Sequence, residues 1–163
     1  MRLFAAIVCL ALAAAVSVSI PAPVQAKDGQ VRGRATVISG DTLIVQGQRM
    51  RLYGIDAPEK GQRCQWPNKE IDCGIISRAA LLDLIAPVDI TCRRRQATKD
   101  GTWIASCDAE GFDVSRNMIY TGWAVVPPGG PAGFSKVQKN AAARKRGLWK
   151  GTFQMPWVWL KAQ

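Results

Sequence analysis

The sequence predicts a mainly β fold with helices, a five-stranded Greek-key barrel of the OB type wrapped by about three helices. Short runs of interleaved polar and apolar residues, separated by Gly and Asp, are typical of strands in a meander. Stretches with the spacing and end signals of helices follow them. Apolar residues make up 48% of the 163-residue chain, which is enough for the core of one domain. An α+β sandwich is the alternative that the same order of elements allows.

The first part of the predicted barrel is a meander of three strands. The predicted strands are Val31 to Ile38, Thr42 to Val45 and Arg49 to Ile55. The turn formers Ser39-Gly40-Asp41 and Gln46-Gly47-Gln48 separate them. We therefore expect short antiparallel neighbours, with the two ends of the second hairpin close in space.

The rest of the chain is predicted to hold a loop, two strands and three helices. Residues 56–72 contain Pro58, Gly61 and Pro67, which favour a loop. The elements predicted after this loop are a helix at 74–86, a strand at 88–92, a strand at 103–107, a helix capped by Asp113 that ends at Gly122, and a last helix at 134–146. The basic segment 93–101 joins the two strands.

Residues 1–26 have the pattern of a secretory signal peptide, which leaves residues 27–163 as the mature domain. Arg2 supplies the positive charge, Leu3 to Ile20 is an uncharged apolar run, and Ala22 to Ala26 ends in small residues. An uncleaved membrane anchor is the alternative, because the run is just long enough to span a bilayer. We expect cleavage at the end of this segment and a periplasmic or secreted monomer without a membrane span.

The composition limits both the chemistry and the partners. Lys plus Arg number 22 against 12 Asp plus Glu, a formal charge of +10 that favours nucleic acid or another polyanion as partner. A basic surface that serves solubility alone is the other interpretation. The sequence holds no histidine, which excludes Ser-His-Asp sites, Cys-His sites and histidine-ligated zinc. Hydrolytic chemistry would therefore rest on carboxylates, Arg, Lys, Tyr or a metal ion.

Four cysteines remain in the mature domain, and an even number in an exported protein predicts disulfides. Cys92 and Cys107 lie on two successive predicted strands, where a bridge would be local. Cys64 and Cys73 then pair across the loop before the first helix. A zinc site built from all four thiolates is the rival interpretation, but the sequence has no C-x-x-C pair to support it.

A group of residues that can carry chemistry lies within 19 positions of the meander, at 41–59. Asp41 and Asp56 can hold a hard cation through carboxylate oxygens, and the main-chain carbonyl of Ala57 can join them. Glu59 can stand off the metal and activate water, and the planar fork of Arg51 can hold a phosphate. Taken singly, the acids are better explained as turn formers and strand-end caps. Their combination in one short window favours a site.

These residues also carry a family resemblance. Ser-Gly-Asp-Thr at 39–42, followed by Arg-Leu-x-Gly-Ile-Asp-Ala-Pro-Glu at 51–59, resembles the staphylococcal nuclease (thermonuclease) family. The resemblance implies an OB-type barrel with three helices and calcium-dependent hydrolysis of DNA and RNA to 3′-phosphorylated products. It covers nearly all of residues 31–157 and continues through Cys64, Cys73-Gly74, Ala105-Ser106-Cys107, Gly122-Trp123-Ala124 and Gly147-Leu148-Trp149.

The resemblance implies a role for each residue of the window. Asp41 and Asp56 match the family's calcium carboxylates, and Ala57 matches a residue whose main-chain carbonyl binds calcium. Glu59 matches the proposed general base. Arg51 matches one of two phosphate-binding arginines.

The sequence departs from the family at the second arginine, where Thr102 stands. A threonine cannot replace a guanidinium that stabilises developing phosphoryl charge. One of Arg93, Arg94 or Arg95 could supply that charge from the same hairpin. Together with Lys99, these arginines could instead grip a nucleic-acid backbone or form a solvated loop.

A second departure concerns the bound nucleotide. Pro128 and Gly130 occupy places where the family has tyrosines that contact it. We therefore expect either an exported calcium-dependent nuclease acting on DNA or RNA, or a nuclease-like module with weakened or lost catalysis that binds nucleic acid or another anion. A structural envelope protein that merely keeps the fold is the third alternative.

Overall fold

The structure, a computed structural model, describes residues 29–163. The predicted signal peptide at 1–26 lies outside the described residues. Within residues 29–163, no helix is both long enough and apolar enough to cross a membrane.

The described chain forms nine strands and four α-helices. The strands are β1 (Gln30–Gly33), β2 (Ala35–Val37), β3 (Thr42–Val45), β4 (Gln48–Leu52), β5 (Arg63–Trp66), β6 (Lys69–Asp72), β7 (Ile90–Ala97), β8 (Trp103–Ala109) and β9 (Phe112–Asp113). The helices are α1 (Cys73–Ile85), α2 (Val114–Thr121), α3 (Ala132–Ala143) and α4 (Pro156–Leu160), with a 3₁₀ turn at Gly147–Lys150.

The main sheet closes almost into a barrel. Its strand order is β1-β7-β8-β4-β3-β2, with β9 beside β8. The two ends of this order, β1 and β2, are consecutive in the chain and are separated only by Arg34. Counted as one interrupted strand, they form five barrel strands with β3, β4, β7 and β8. All pairs along this order are antiparallel except β4 with β8, which is parallel. The predicted OB-type barrel is confirmed.

Several predicted elements differ in extent from those in the structure. The interval 56–72 is not all loop, because β5 and β6 pair as a hairpin with Cys64 opposite Ile71. The interval 93–101 is mostly strand, because β7 continues to Ala97 with an irregularity between Arg94 and Gln96. The third strand ends at Leu52, three residues before the predicted Ile55.

The core lies inside the barrel and beneath the helices. Its fully buried members come from every part of the described chain, and the largest include Leu43, Met50, Leu52, Leu81, Ile90, Met118 and Ile119. A second buried cluster joins the β5–β6 hairpin to the C-terminal segment through Ile71, Val125 and Leu148. Both predicted disulfides are present, Cys64–Cys73 in this second cluster and Cys92–Cys107 across β7 and β8.

Helix α2 begins and ends at the predicted residues. The Asp113 side chain accepts a hydrogen bond from the Arg116 amide at 2.9 Å, which satisfies one of the free N–H groups of the first turn. Gly122 ends the helix in the left-handed region at φ 80°. A Cβ at this position would collide with the Arg146 carbonyl, and Leu148 donates to the Gly122 carbonyl at 2.9 Å. Glycine therefore lets the chain after α3 pack against the end of α2.

Candidate active site

Asp41 is fixed in the turn between β2 and β3. Its side chain is buried and accepts hydrogen bonds from Ser39 Oγ at 2.8 Å and Thr42 Oγ1 at 2.9 Å. Its main-chain carbonyl accepts a bond from the Leu52 amide at 2.7 Å, which ties the turn to the end of β4. The carboxylate is therefore held by its own turn and placed beside the following strand.

Gly40 allows that turn to sit close to its neighbours. A Cβ at Gly40 would collide with the Ser77 hydroxyl of α1 and would lie 2.8 Å from the Ala57 Cβ. Real Cβ atoms do not come that close, so only glycine permits this packing. The turn that carries Asp41 thus packs directly against the Asp56-Ala57 segment.

Arg51 connects the two buried carboxylates. Its Nε lies 3.4 Å from Asp41 Oδ2, and its Nη2 donates to Asp56 Oδ1 at 2.6 Å. The Asp56 backbone is fixed in turn by a pair of hydrogen bonds with Val125, each 2.8 Å long. Almost half of the Arg51 side chain, 45%, remains exposed. The predicted convergence of Asp41, Arg51 and Asp56 is therefore present.

Asp41 and Arg51 also border a cavity of about 410 Å³, and Asp56 lies behind them without lining it. Glu59 is half-buried and lies on its wall together with Asp41 and Arg51. The other lining residues are Ile38, Ser39, Thr42, Arg49, Lys60, Thr98, Asp100 and Thr102. The cavity is thus lined by side chains from β3, β4 and the loop between β7 and β8.

The electrostatics reflect three carboxylates around one guanidinium. The pKa of Asp56 is raised to about 6, because burial and the nearby charge of Asp41 together outweigh the opposing effect of Arg51. Burial also raises the pKa of Glu59, and the charges of Asp41 and Asp56 add to that shift. Burial alone would lower the pKa of Arg51, but the three carboxylates raise it above its ordinary value. The site has more negative than positive charge, so a further cation would reduce the repulsion between its carboxylates.

A hard divalent cation fits this donor set. Carboxylate oxygens are its preferred ligands, and Asp41 and Asp56 offer them side by side. Among residues 29–163, no group of three or more acidic or cysteine side chains is placed to hold one ion. A cation here would therefore rely on these two carboxylates, with main-chain carbonyls and water completing its shell. The ligand role of the Ala57 carbonyl stays a prediction, and Ala57 itself is buried.

Thr102 lies on the wall of the cavity, where the resemblance places a second arginine. It is buried, and its Oγ1 donates to Asp100 Oδ2 at 3.0 Å. Thr98 Oγ1 also bonds to Asp100 and donates to the Thr102 carbonyl at 2.7 Å. Hydrogen bonds from Thr98 and Thr102 lower the pKa of Asp100. A hydrogen-bonded threonine and an ionised carboxylate therefore stand on this wall.

The basic run on β7 is engaged elsewhere. Arg94 lies 5.0 Å over the Trp103 ring and donates to Gln48, whereas Arg95 lies 4.0 Å over the Tyr53 ring and donates to Ser106. Of the described residues that line the cavity, the arginines are Arg49 and Arg51. Neither Arg94 nor Arg95, nor the exposed Arg93, therefore supplies the missing guanidinium in this structure. Binding of a nucleic-acid backbone by Arg93, Arg94, Arg95 and the exposed Lys99 stays a prediction.

Arg49 is the cavity residue that sequence reasoning missed. It precedes Arg51 by two positions on β4, and residues two apart on a strand face the same side. That spacing indicates that Arg49 and Arg51 face the same side of β4. It points to the cavity only once Arg51 is known to face it. Lys60, directly after Glu59, was also missed, because it lies in an irregular segment where residue spacing does not predict the direction of a side chain.

The barrel and its carboxylate–arginine cavity define an OB-type protein with a site suited to phosphate chemistry. The family described as "Staphylococcal nuclease homologue" matches residues 49–151. The chain belongs to the staphylococcal nuclease family. Substrates of such nucleases are nucleic acids, and the family is generally metal-dependent.

Three individual relatives match between 72% and 79% of this chain, and two of them are named as nucleases. The chain is 30% identical over 138 residues to an "Uncharacterized endonuclease" of Escherichia coli O157:H7, covering 79% of this chain and 84% of that protein. It is 33% identical over 122 residues to "Succinoglycan biosynthesis protein ExoI" of Rhizobium meliloti (strain 1021), covering 72% of this chain and 64% of that protein. The chain thus spans slightly less than two thirds of the length of the Rhizobium meliloti protein. A third relative, "Probable staphylococcal-like nuclease CAN2" of Oryza sativa subsp. japonica, is 26% identical over 128 residues, 77% of this chain and 32% of its own length.

Proposed function

We propose that this protein is an exported, calcium-dependent nuclease that hydrolyses phosphodiester bonds of DNA or RNA. The observation that carries the proposal is the contact of Arg51 with both Asp41 and Asp56 beside the cavity that Glu59 lines. Family membership and the relative named as an endonuclease support a nucleic-acid substrate.

Each residue has a role that follows from its chemistry. Asp41, Asp56 and the Ala57 carbonyl would hold the calcium ion, which would supply positive charge and Lewis acidity to the phosphate. Glu59 accepts a proton from the attacking water, for which its half-buried carboxylate is placed on the wall of the cavity. Arg51 donates to the phosphate from a side chain that the two aspartates already orient.

Arg49 supplies the second positive charge in place of the arginine missing at Thr102. It lines the same cavity as Arg51 and is exposed, so its guanidinium is free to approach a phosphate. A guanidinium keeps its charge at every relevant pH and binds phosphate oxygens in a planar fork. Its position on β4 differs from that of Thr102, which lies beside it at the start of the neighbouring strand β8. The resulting enzyme is therefore slower than one with the family's pair.

Export is the second part of the proposal. The predicted signal peptide at 1–26 would direct the chain to the periplasm or the medium. The bonds Cys64–Cys73 and Cys92–Cys107 support this destination, because disulfides persist in oxidising compartments and are rare in the cytosol.

A binding module with weakened or lost catalysis is the second candidate. Asp100 and its bond to Thr102 favour it, since they add a negative charge where the family has a positive one. Such a module would hold calcium and nucleic acid without turnover.

A nuclease assay on three forms of the purified protein separates these candidates. We expect the wild type to cleave DNA or RNA in millimolar calcium and to stop when a chelator is added. Glu59→Gln should lose activity by about 10²-fold or more, because the proton acceptor is gone while the shape is kept. Thr102→Arg should gain activity, because it restores a charge at the phosphate. Calcium and oligonucleotide binding without cleavage would favour the binding module, and failure to bind calcium would exclude both.

A further inference from the structure

A groove between α2 and α3 is strongly basic. Its volume is about 770 Å³, compared with about 410 Å³ for the catalytic cavity, and the two share no lining residue. The cations on its walls are Arg116, Lys136, Arg144 and Arg146. The remaining lining residues are Asn117, Tyr120, Gly133, Val137 and Asn140, so no acidic residue is among those that line it.

Helical spacing brings these side chains together. Arg116 and Tyr120 are four residues apart on α2, and Lys136 and Asn140 are four residues apart on α3. Residues at this spacing lie on one face of a helix. The two helices pack against each other, so the two polar faces form opposite walls of one groove.

Hydrogen bonds and close packing hold Arg146 and Tyr120 in place in the groove. Arg146 donates from Nη1 to the Tyr120 carbonyl at 3.1 Å and from Nη2 to the Tyr120 hydroxyl at 3.2 Å. Its guanidinium also lies 3.9 Å from the centre of the Tyr120 ring. The close contact between Gly122 and the segment at Arg146 and Gly147 fixes the backbone that carries them. A cation and an aromatic ring are thus held in place before any ligand arrives.

The charge of the groove is not balanced within the described part of the protein. Among residues 29–163, the ion pairs within 4.0 Å use Arg34, Arg51 and Arg63, and none uses a groove cation. Four neighbouring cations without a carboxylate repel one another and collect counterions. A polyanion that displaces those counterions gains free energy from their release.

We propose that the groove between α2 and α3 is a second binding site for single-stranded nucleic acid, separate from the catalytic cavity. Arginine forks suit phosphate oxygens, and Tyr120, a residue that is 49% exposed, offers the ring face not covered by Arg146 for a base to stack on. The amides of Asn117 and Asn140 can both donate to and accept from base edges. An anionic polysaccharide would use the charges but not the ring. The proposal rests on the nucleic-acid substrate of the proposed function and adds a second contact with it.

Oligonucleotide binding in the presence of a chelator tests the site without cleavage. The probe is a fluorescent oligothymidylate of about 20 nucleotides, long enough to bridge separate contacts on one small domain. Lys136→Glu combined with Arg116→Glu should raise Kd by about tenfold or more and make the salt dependence shallower by about one unit for each phosphate that the variant no longer neutralises. Lys139→Glu is the matched control for Lys136→Glu, since it makes the same charge change on the same helix outside the groove. The control should change Kd less than Lys136→Glu does, because its side chain does not line the groove and makes no direct contact with a ligand there.

Two further measurements separate nucleic acid from polysaccharide as the ligand, and binding in the groove from catalysis. Tyr120→Ala should weaken the binding of oligothymidylate more than that of a polysaccharide sulfate, because both lose the fixed position of Arg146 but only the nucleotide also loses stacking on the ring. In calcium, the groove variants should raise KM for a long strand and leave hydrolysis of a dinucleotide unchanged, because a dinucleotide is too short for a second contact. Absence of cleavage by wild type would remove the proposed nuclease activity but leave the binding arm intact.

If Lys136→Glu and Lys139→Glu raised Kd equally, the proposed binding site in the groove would be wrong. The change in Kd would then follow from the net charge of the protein alone. A polysaccharide sulfate that binds as tightly as the oligonucleotide and is equally weakened by Tyr120→Ala would overturn the assignment to nucleic acid. Lys136→Gln and Lys139→Gln repeat the comparison with neutral side chains, so that misfolding of a charge-reversed variant does not decide the result.

Discussion

The nitrogen donors of Arg51 are divided between two partners. These are the aspartates that orient the side chain and the phosphate that it is proposed to bind. Its Nε and Nη2 are directed at Asp41 and Asp56, which leaves Nη1 and the exposed part of the side chain for a ligand. A cation between the two carboxylates would weaken their hold on Arg51 and release more of its donors. Because Arg51 is partly occupied by the two aspartates, the proposed activity also depends on the other arginine of the cavity, Arg49.

Replacement of Arg49 tests whether it compensates for Thr102. We expect Arg49→Ala to lower kcat/KM by about 10 to 10³-fold, up to the effect of removing one donor to a developing oxyanion. Arg34→Ala is the control, because it removes an exposed arginine that does not line this cavity. The assay is cleavage of a single-stranded substrate in calcium. If Arg49→Ala and Arg34→Ala have the same small effect, Arg49 has no role at the phosphate.

The raised pKa of Asp56 predicts a specific pH dependence of stability in the calcium-free protein. A carboxyl whose pKa is about 6 in the folded protein favours folding while it is protonated. That contribution is fully present below the ordinary aspartate value near pH 4 and is lost as the pH rises through about 6. We expect the free energy of unfolding to fall by about 2 kcal/mol more across this window than in Asp56→Asn. Urea unfolding with a chelator at several pH values measures it, and parallel curves for the two proteins would contradict it.

At the scale of elements, the sequence predicted the parts whose signals are local. Ser39-Gly40-Asp41 marks the turn before β3, and Asp113 with Gly122 brackets α2, because turns and caps need particular residues. The hairpin at 63–72 was missed because Pro67 and the neighbouring polar residues favour a loop. It is stabilised by distant partners, since Gln65 exchanges two backbone hydrogen bonds with Thr152. No local pattern carries that information.

The Cys92–Cys107 bridge is expected to stabilise the β7–β8 pair. It closes a chain segment with a sequence separation of 15, for which the loss of unfolded-state entropy is worth about 3 kcal/mol. The double variant Cys92→Ala with Cys107→Ala should lower the free energy of unfolding by that amount and keep the fold. Denaturant unfolding measures the loss under oxidising conditions. Cys64→Ala with Cys73→Ala, which opens a separation of 9, should cost slightly less. A larger loss in the second pair would contradict the entropic argument.

At the scale of the whole molecule, the barrel brings distant parts of the chain to one cavity. Asp41 comes from the first turn, Glu59 from the segment after β4, and Thr102 from the loop between β7 and β8. The residues at 41–59 were predicted together because they are close in sequence. The position of residues 98–102 beside β4 depends on the parallel pairing of β4 with β8, which residue spacing does not reveal. The groove depends in the same way on how α2 packs against α3.

Calcium should stabilise the whole fold because its proposed ligands belong to separate segments. Asp41 lies before β3, and Asp56 is bonded through its backbone to Val125, which follows α2. An ion that binds only the folded protein adds about 2.7 kcal/mol to the free energy of unfolding at about 100 times its Kd. We expect this increase in wild type and none in Asp41→Asn, measured by denaturant unfolding with and without calcium. Ser135→Asn, at an α3 position outside the cavity, should respond like wild type. An equal calcium effect in Asp41→Asn would mean that the ion binds elsewhere.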